Sequence, residues 1–316
     1  MQIQKIVFMG TPQFAVPTLE ALAKTRFKPI LCITQPDKPK GRKRKLQPTE
    51  VKLAAQKIGI PVIQPEDVNS EEILNQLNKL QPDVIITAAY GGYLKKNIRL
   101  LPKFGCLNLH PSLLPKYRGS APINFTLFNG DSVTGNTIFK IVAKMDAGPI
   151  LFQSKLQISE DDCYTTLYKK LSKQGAEDII KVLEKLETEQ IIPMEQDHEK
   201  ATFSHKLHHE DFLLDWNNTA ANVRNKVRGL AEIPGITASF RGARIKIIEI
   251  DILETKSQSF PGTIIEVIKN KGLRIATSDF DVLIKRLQPA GKKIMTAHAF
   301  SLGARIENDE KFENGF

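Results

Sequence analysis

The sequence predicts an α/β domain built on a mostly parallel sheet, followed by a smaller OB-like β-barrel domain. Three observations carry this expectation. Apolar strand-like runs alternate with segments of helical periodicity from Ile3 to Ala88, which is the pattern of βαβ units. Beyond His205 the pattern changes to short strands separated by turns. The chain has 316 residues, enough for two domains that each bury a core.

Residues 3–9 are rich in β-branched and apolar side chains and end at Gly10-Thr11-Pro12, after which Phe14, Val16, Leu19, Leu22 and Ala23 recur at helical spacing. Residues 29–34 read as a second apolar strand, and Thr49 is placed to cap a helix over 49–58. A short strand at 62–63, a helix over 70–80 and a buried strand over 83–88 complete the alternation. Right-handed crossovers then give a parallel sheet, with its ligand beyond the carboxyl ends of the strands. Residues 137–144 alternate as a further strand, 150–156 follow, and Ser159 starts a helix that runs to about Leu186. Residues 189–205 lack periodicity and contain Pro193, so they are expected as a linker between a domain over 1–188 and one over 206–316. In the latter, 237–240, 244–252, 262–267, 273–276 and 282–287 read as strands, spaced as in an OB barrel and equally as in a β-sandwich.

Hydrophobic residues make up 41% and charged residues 25% of the chain, the composition of a soluble globular protein. No apolar run approaches the roughly 18 residues of a membrane span. The N-terminus lacks the apolar core and cleavage site of a signal peptide, so a cytoplasmic protein without a membrane partner is expected. Cys32, Cys106 and Cys163 lie far apart with no CxxC pair and no nearby Cys/His cluster, so neither a disulfide scaffold nor a metal site is expected. Lys and Arg number 45 against 35 Asp and Glu, a net +10, and part of the excess is concentrated. Lys38, Lys40, Arg42, Lys43, Arg44 and Lys45 fall within nine residues that hold a single acid, Asp37. Pro36, Pro39 and Gly41 make this stretch an exposed loop. Such a run serves either as a solvated surface or as a grip on nucleic-acid phosphates.

Residues 105–119 read GCLNLHPSLLPKYRG. Asn108 and His110 stand two apart on a short strand, so both side chains leave the same face. Pro111-Ser112 follows at the strand end, where a doubly wound sheet places its site. A lone histidine is more often a core imidazole with a satisfied hydrogen bond; a third polar residue, Asp146, shifts the reading toward chemistry. It precedes Ala147-Gly148-Pro149, a turn able to aim a carboxylate back at neighbouring strand ends. A carboxylate beside an imidazole fixes its tautomer, and an amide NH2 beside both stabilises an oxyanion. Asn, His and Asp together suit acyl transfer without a covalent intermediate, and no GxSxG elbow or activated cysteine offers an acyl-enzyme route. Gly10-Thr11-Pro12 also lacks the GxGxxG pattern, which argues against a nicotinamide dehydrogenase.

With these motifs in place, the chain resembles the methionyl-tRNA formyltransferase family nearly end to end. The resemblance rests on KIVFMGTPQFAVPTLEAL at 5–22, PDKPKGRKRKL at 36–46, AAYGGYL at 88–94, NLHPSLLPKYRGSAPI at 108–123, MDAGPIL at 145–151, FSHKLHHEDFLLDW at 203–216 and LQPAGKKIMTAHAF at 287–300. The Asn-x-His-x-Ser-Leu-Leu-Pro core is shared by 10-formyltetrahydrofolate-dependent transferases at large and speaks for the chemistry. The basic loop and C-terminal domain speak for a tRNA acceptor. The resemblance implies a Rossmann-like formyltransferase domain joined to an OB-like tRNA-binding domain, no tightly bound cofactor, and 10-formyltetrahydrofolate as co-substrate. It implies a monomer that formylates the α-amino group of methionine on initiator methionyl-tRNA for translation initiation. It places the catalytic roles on Asn108, His110 and Asp146. The folate pocket falls on Ser112, Leu113, Leu114 and Pro115, with the backbone of Tyr90, Gly91, Gly92, Tyr93 and Leu94. The tRNA grip falls on Lys38, Lys40, Arg42, Lys43, Arg44 and Lys45. Met145-Asp146-Ala147-Gly148 stands where relatives commonly read Leu-Asp-Thr-Gly, and residues 231–235 read Ala-Glu-Ile-Pro-Gly for Asn-Pro-Trp-Pro-Gly. A folate-dependent enzyme with a small amine acceptor would need neither the basic loop nor a basic barrel. An RNA-binding protein on a degenerate enzyme fold would have no physical reason to keep Asn108, His110 and Asp146.

Overall fold

The computed structural model describes residues 2–40 and 45–315. Three of the expected tRNA contacts, Arg42, Lys43 and Arg44, lie outside the described residues. The chain divides into two compact units, one of Met1–Gly119, Val133–Gln157 and Tyr168–Phe203, the other of Ser120–Ser132, Ile158–Leu167 and Ser204–Phe316. The segment 189–205, expected as a linker, belongs to the first unit as far as Phe203.

In the first unit, Ile6–Gly10 is buried along its whole length, as a strand covered on both faces must be. It pairs in parallel with Leu31–Ile33 on one side and Val84–Ala88 on the other. Val62–Ile63 joins Leu31–Ile33, and Cys106–His110 joins Val84–Ala88, again in parallel. The strand order therefore reverses between Ile6–Gly10 and Val84–Ala88, and the loops after Gly10 and Ala88 form the walls of a switch-point crevice. There the Thr11 hydroxyl donates to the Tyr90 carbonyl at 2.9 Å. The helix Glu50–Ile58 starts at Thr49, whose side chain accepts from the Lys52 N–H, and Glu71–Leu80 starts at Ser70, which accepts from Ile73. Both obey the N-cap rule that the sequence displays. Val7, Met9, Ile33, Leu77, Ile85 and Cys106 meet in the core beside the sheet.

Past His110 the sheet changes direction. Val133–Lys140 runs antiparallel to Cys106–His110, and Ile150–Gln157 antiparallel to Val133–Lys140. The strand expected over 137–144 thus starts and ends earlier than its alternation suggests. The ladder ends where the Ile141 N–H donates to the Cys106 carbonyl at 2.8 Å, and the excursion that follows, which carries Asp146, is closed by the Lys140 N–H donating to the Pro149 carbonyl at 3.0 Å. The beginning of the strand is hidden in the sequence because Thr134, Gly135 and Asn136 are polar or small, yet all three are buried. Gly135 answers a close approach of backbones: a Cβ there would stand 1.8 Å from the Ser154 carbonyl oxygen and 2.7 Å from the Leu113 side chain. The helix expected from Ser159 begins instead at Tyr164 and runs to Glu187. Residues 159–162 form a turn, closed by the Asp162 carboxylate accepting from the Ser159 N–H and the Thr166 hydroxyl.

In the second unit Ile264–Ile268, Gly272–Ile275, Phe280–Pro289, Ala243–Lys256, Ile236–Phe240 and Phe312–Glu313 lie side by side in that order, each antiparallel to the next. Register breaks along Ala243–Lys256 bend this long strand and curl the sheet. Its two edges are tied where the Ile264 N–H donates to the Glu310 carbonyl at 2.7 Å and the Phe312 N–H to the Gly262 carbonyl at 2.9 Å. Three helices of this unit go beyond the strand pattern read from the sequence: Pro122–Phe128, Ala220–Leu230 capped by Thr219, and Ala297–Ala304 capped by Thr296. Val223, Val227 and Leu230 recur at helical spacing and enter the core with Trp216 and Phe312. Among the described residues no helix is long and apolar enough to cross a membrane, and no group of three or more His, Cys, Asp or Glu side chains could hold a metal ion.

Gly135→Ala must push the Val133–Lys140 and Ile150–Gln157 strands apart, and we expect a loss of at least about 2 kcal/mol in stability. Thermal unfolding reads this directly; a melting temperature equal to that of the parent protein would contradict the close approach.

Candidate active site

The strand Cys106–His110 supplies two of the three polar groups. Its period of two puts Asn108 and His110 on one face, while Leu107 and Leu109 are buried on the other. Thr87 stands opposite Asn108 on the neighbouring strand, and its hydroxyl donates to Asn108 Oδ1 at 2.6 Å. The same hydroxyl lies 3.1 Å from the Leu107 carbonyl, and the Asn108 NH2 is left without a protein partner among the described residues.

His110 is only 4% exposed. Its Nε2 lies 2.9 Å from the Tyr117 carbonyl. A carbonyl can only accept, so Nε2 carries a proton and Nδ1 is the atom turned toward Asp146. Asp146 Oδ2 stands 3.8 Å from Nδ1, beyond a hydrogen bond but close enough to act on any positive charge that develops on the ring. The same Oδ2 accepts from the Gly119 N–H at 2.8 Å. Asp146 holds this place with a φ of 48°, a left-handed backbone that a non-glycine residue keeps only where its surroundings over-determine it.

Those surroundings are residues that the sequence reading does not single out. Gln196 Nε2 donates to the Asp146 carbonyl at 2.9 Å and to the Gly148 carbonyl at 2.7 Å. Its Oε1 accepts from Arg118 Nε at 3.1 Å and Nη2 at 2.7 Å, and His198 Nδ1 lies 2.9 Å from the same Nη2. Arg118 and Gln196 are both buried. Burial pulls the Arg118 guanidinium below its ordinary pKa, and the Asp146 charge acts the other way. Arg118 belongs to the NLHPSLLPKYRGSAPI motif, so a sequence signal for it exists. Gln196 lies 78 residues further on, in a segment without periodicity, and carries none.

The expected folate segment divides into two kinds of residue. Ser112 is fully buried and its hydroxyl donates to the Lys116 carbonyl at 2.6 Å, while Leu114 packs with Phe139 and Ile150. The Thr137 hydroxyl donates to the Ser112 carbonyl and accepts from the Leu114 N–H, and Gln153 Nε2 donates to the Leu114 carbonyl. Leu113 and Pro115 are half-buried. Likewise Tyr90 and Leu94 are buried, whereas Gly91 and Tyr93 are exposed, with Gly91 at a φ of 80°. Burial pushes the Tyr90 phenol up to about 12, and its hydroxyl has no hydrogen-bond partner among the described residues. Burial also pushes the Cys32 and Cys106 thiols up to about 12, so neither is an activated nucleophile.

The basic stretch, expected as a loop, is a two-stranded ribbon at its described flanks. Lys38–Lys40 pairs antiparallel with Lys45–Gln47, and Lys38 and Lys45 are exposed. Its root is pinned by Asp37, whose carboxylate accepts from Gln64 Nε2 and Lys52 Nζ, each at 2.6 Å. These bonds hold the Asp37 carboxyl below the usual carboxylate range. The structure thus gathers Asn108, His110 and Asp146 at one strand end, and roots the ribbon on the loop that follows Leu31–Ile33.

The family model described as formyl transferase matches residues 4–183, and the one described as formyl transferase, C-terminal domain, matches residues 206–305. The chain is 41% identical over 312 residues to a methionyl-tRNA formyltransferase of Thermotoga maritima, covering 99% of each. It is 43% identical over 301 residues to that of Thermodesulfovibrio yellowstonii, covering 95% of this chain and 96% of the relative. It is 42% identical over 312 residues to that of Enterococcus faecalis, covering 98% of this chain and 99% of the relative. Among solved structures, WlaRD, a sugar 3N-formyl transferase, is similar with a TM-score of 0.65 at 20% identity, covering 93% of this chain and all of WlaRD. HypX from Aquifex aeolicus in complex with tetrahydrofolic acid has a TM-score of 0.61 at 14% identity, covering 95% of this chain and 47% of HypX, so the chain spans about half of that protein. The structural likenesses speak for the fold alone, but identity at this level over nearly the whole length speaks for descent. The chain belongs to the methionyl-tRNA formyltransferase family.

Proposed function

We propose that this protein transfers the formyl group of 10-formyltetrahydrofolate to the α-amino group of methionine on initiator methionyl-tRNA, giving formylmethionyl-tRNA for translation initiation. The observation that carries this reading is the Asn108 amide, His110 imidazole and Asp146 carboxylate gathered at one strand end, in a chain 41% identical over 312 residues to a methionyl-tRNA formyltransferase.

Attack of the amine on the formyl carbon moves negative charge onto the formyl oxygen, and the amine proton must reach N10 of the departing folate. The Asn108 NH2, oriented by Thr87, is the donor for that charge. Nε2 of His110, bonded here to the Tyr117 carbonyl, is the ring atom that a substrate oxygen can share. Released from the Tyr117 carbonyl and with its ring proton on Nδ1 facing the Asp146 carboxylate, the imidazole takes the amine proton at Nε2, gains a positive charge that the carboxylate stabilises, and passes that proton to N10 of the departing folate. Leu113, Pro115 and the backbone of residues 91–93 offer surface to the folate, while Ser112, Leu114, Tyr90 and Leu94 hold that surface from within.

Lys38, Lys40, Arg42, Lys43, Arg44 and Lys45 grip phosphates of the tRNA acceptor end. The ribbon pairs Lys38–Lys40 with Lys45–Gln47 and leaves Lys38 and Lys45 exposed, so that cations stand on both strands for an anionic partner. Residues 206–316, whose curled sheet is tied at its edges, form an OB-like tRNA-binding domain joined through 189–205 to the catalytic domain over 1–188. The protein acts in the cytoplasm as a monomer.

Asn108→Ala and His110→Ala are expected to fold and to lose about 100- to 1000-fold in turnover, measured by mass spectrometry of formylmethionine released from the charged tRNA. Turnover within about tenfold of the parent would remove these residues from the reaction. Thr87→Val takes away an orienting hydrogen bond worth about 0.5–1.5 kcal/mol, so kcat should fall by up to about tenfold while Thr87→Ser keeps it. Equal rates in the two variants would show that Thr87 does not set the amide. Replacing Lys38 and Lys45 by Gln should flatten the plot of log tRNA affinity against log salt by about 0.7–0.9 for each phosphate no longer neutralised, with folate affinity unchanged. An unaltered slope would take the ribbon out of the tRNA interface.

A further inference from the structure

The Asp146 turn is held by side chains that the reaction does not itself consume or touch. Gln196 commits its whole amide to this turn and its support. Two N–H bonds reach the Asp146 and Gly148 carbonyls, and its oxygen takes two N–H bonds from Arg118. We propose that Gln196 and Arg118 are positioning residues for formyl transfer, fixing the turn at residues 145–148 so that the Asp146 carboxylate faces Nδ1 of His110. The inference rests on the reading of Asn108, His110 and Asp146 as the reacting groups.

The amide is keyed to one orientation. Turned over, it would set its oxygen against two carbonyls and its NH2 against a guanidinium, and every bond would become a repulsion. The turn lies close against the neighbouring strand: a Cβ on Gly148 would stand 1.8 Å from the Lys140 carbonyl oxygen. Arg118 is 1% exposed, and burying a cation destabilises a fold unless something else requires it. A turn with a purely structural purpose could be closed by a neutral donor. A guanidinium polarises the Gln196 amide and places positive charge near the Asp146 carboxylate. Arg118 also sits between two residues that touch the reacting groups. The Tyr117 carbonyl accepts from His110, and the Gly119 N–H donates to Asp146. One tripeptide therefore sets the imidazole, the carboxylate and the frame behind the carboxylate together.

Gln196→Met keeps the length and removes all four bonds; Gln196→Glu keeps the acceptor for Arg118 and loses both donors to the turn. On the full chain, with initiator methionyl-tRNA and 10-formyltetrahydrofolate, both variants are expected to lower kcat by about 10- to 100-fold, with KM for either substrate within about twofold of the parent. In an Asp146→Asn background Gln196→Met should add nothing, because a residue acting through Asp146 has nothing left to position. Undiminished kcat in the single variants, or an equal further loss in the Asp146→Asn background, overturns the proposal. A second readout does not depend on the substrate. In Gln196→Met the ring nitrogen shifts of His110 should move in NMR spectra, while those of His205, His208, His209 and His298 stay. An unmoved His110 overturns the positioning role. If the parent protein forms no formylmethionine, the assigned reaction fails, and the His110 shifts still decide the frame. Should Gln196→Met not fold, Gln196→Glu carries both measurements.

Discussion

The 3.8 Å gap between His110 Nδ1 and Asp146 Oδ2 is the distance on which the rest of the site depends. It is too long to be held by its own hydrogen bond, so both partners must be fixed from elsewhere. A buried carboxylate stabilises positive charge developing on a facing imidazole more than an exposed one would, and that effect is lost as soon as either group swings away. Asp146 is fixed at the cost of a left-handed backbone, of the order of 1–3 kcal/mol. The two bonds from Gln196, at roughly 0.5–1.5 kcal/mol each, and the Gly119 N–H are of the size needed to offset it. His110 is fixed by the Tyr117 carbonyl.

The sheet explains why these groups meet at all. Five parallel strands create a switch point between Ile6–Gly10 and Val84–Ala88, and with it a crevice at their carboxyl ends. Two antiparallel strands are then added beside Cys106–His110. Because Val133–Lys140 runs the other way, the turn that follows must double back before Ile150, and the return carries Asp146 toward His110. Gly135 and Gly148 permit this by letting backbones approach where no side chain would fit.

Much of this was legible in the chain itself. The spacing of Asn108 and His110 is one strand period, and the turn residues after Asp146 point to a carboxylate at a chain reversal. Thr49 and Ser70 mark helix starts because capping is decided within one turn of the chain. Other features were hidden. Ala220–Leu230 shows a Thr cap and Val223, Val227 and Leu230 at helical spacing, a pattern masked by the β-rich segments that follow it. Val133–Lys140 opens on buried Thr134, Gly135 and Asn136, whose composition resembles a loop.

What the sequence determined alone was whatever depends on neighbours a few residues apart: strand faces, caps, turns, the charge density of the basic stretch and the identity of the reacting groups. What only the tertiary structure decided was which distant groups hold them. Gln196 reaches the Asp146 turn across 50 residues and Arg118 across 78. Arg118 stands in a motif, but nothing in the sequence pairs it with Gln196, and Gln196 has neither a period nor a motif. A hydrogen bond between distant residues depends on where two backbones arrive in space, and that follows from how the sheet is ordered and from the glycines that allow its strands to close.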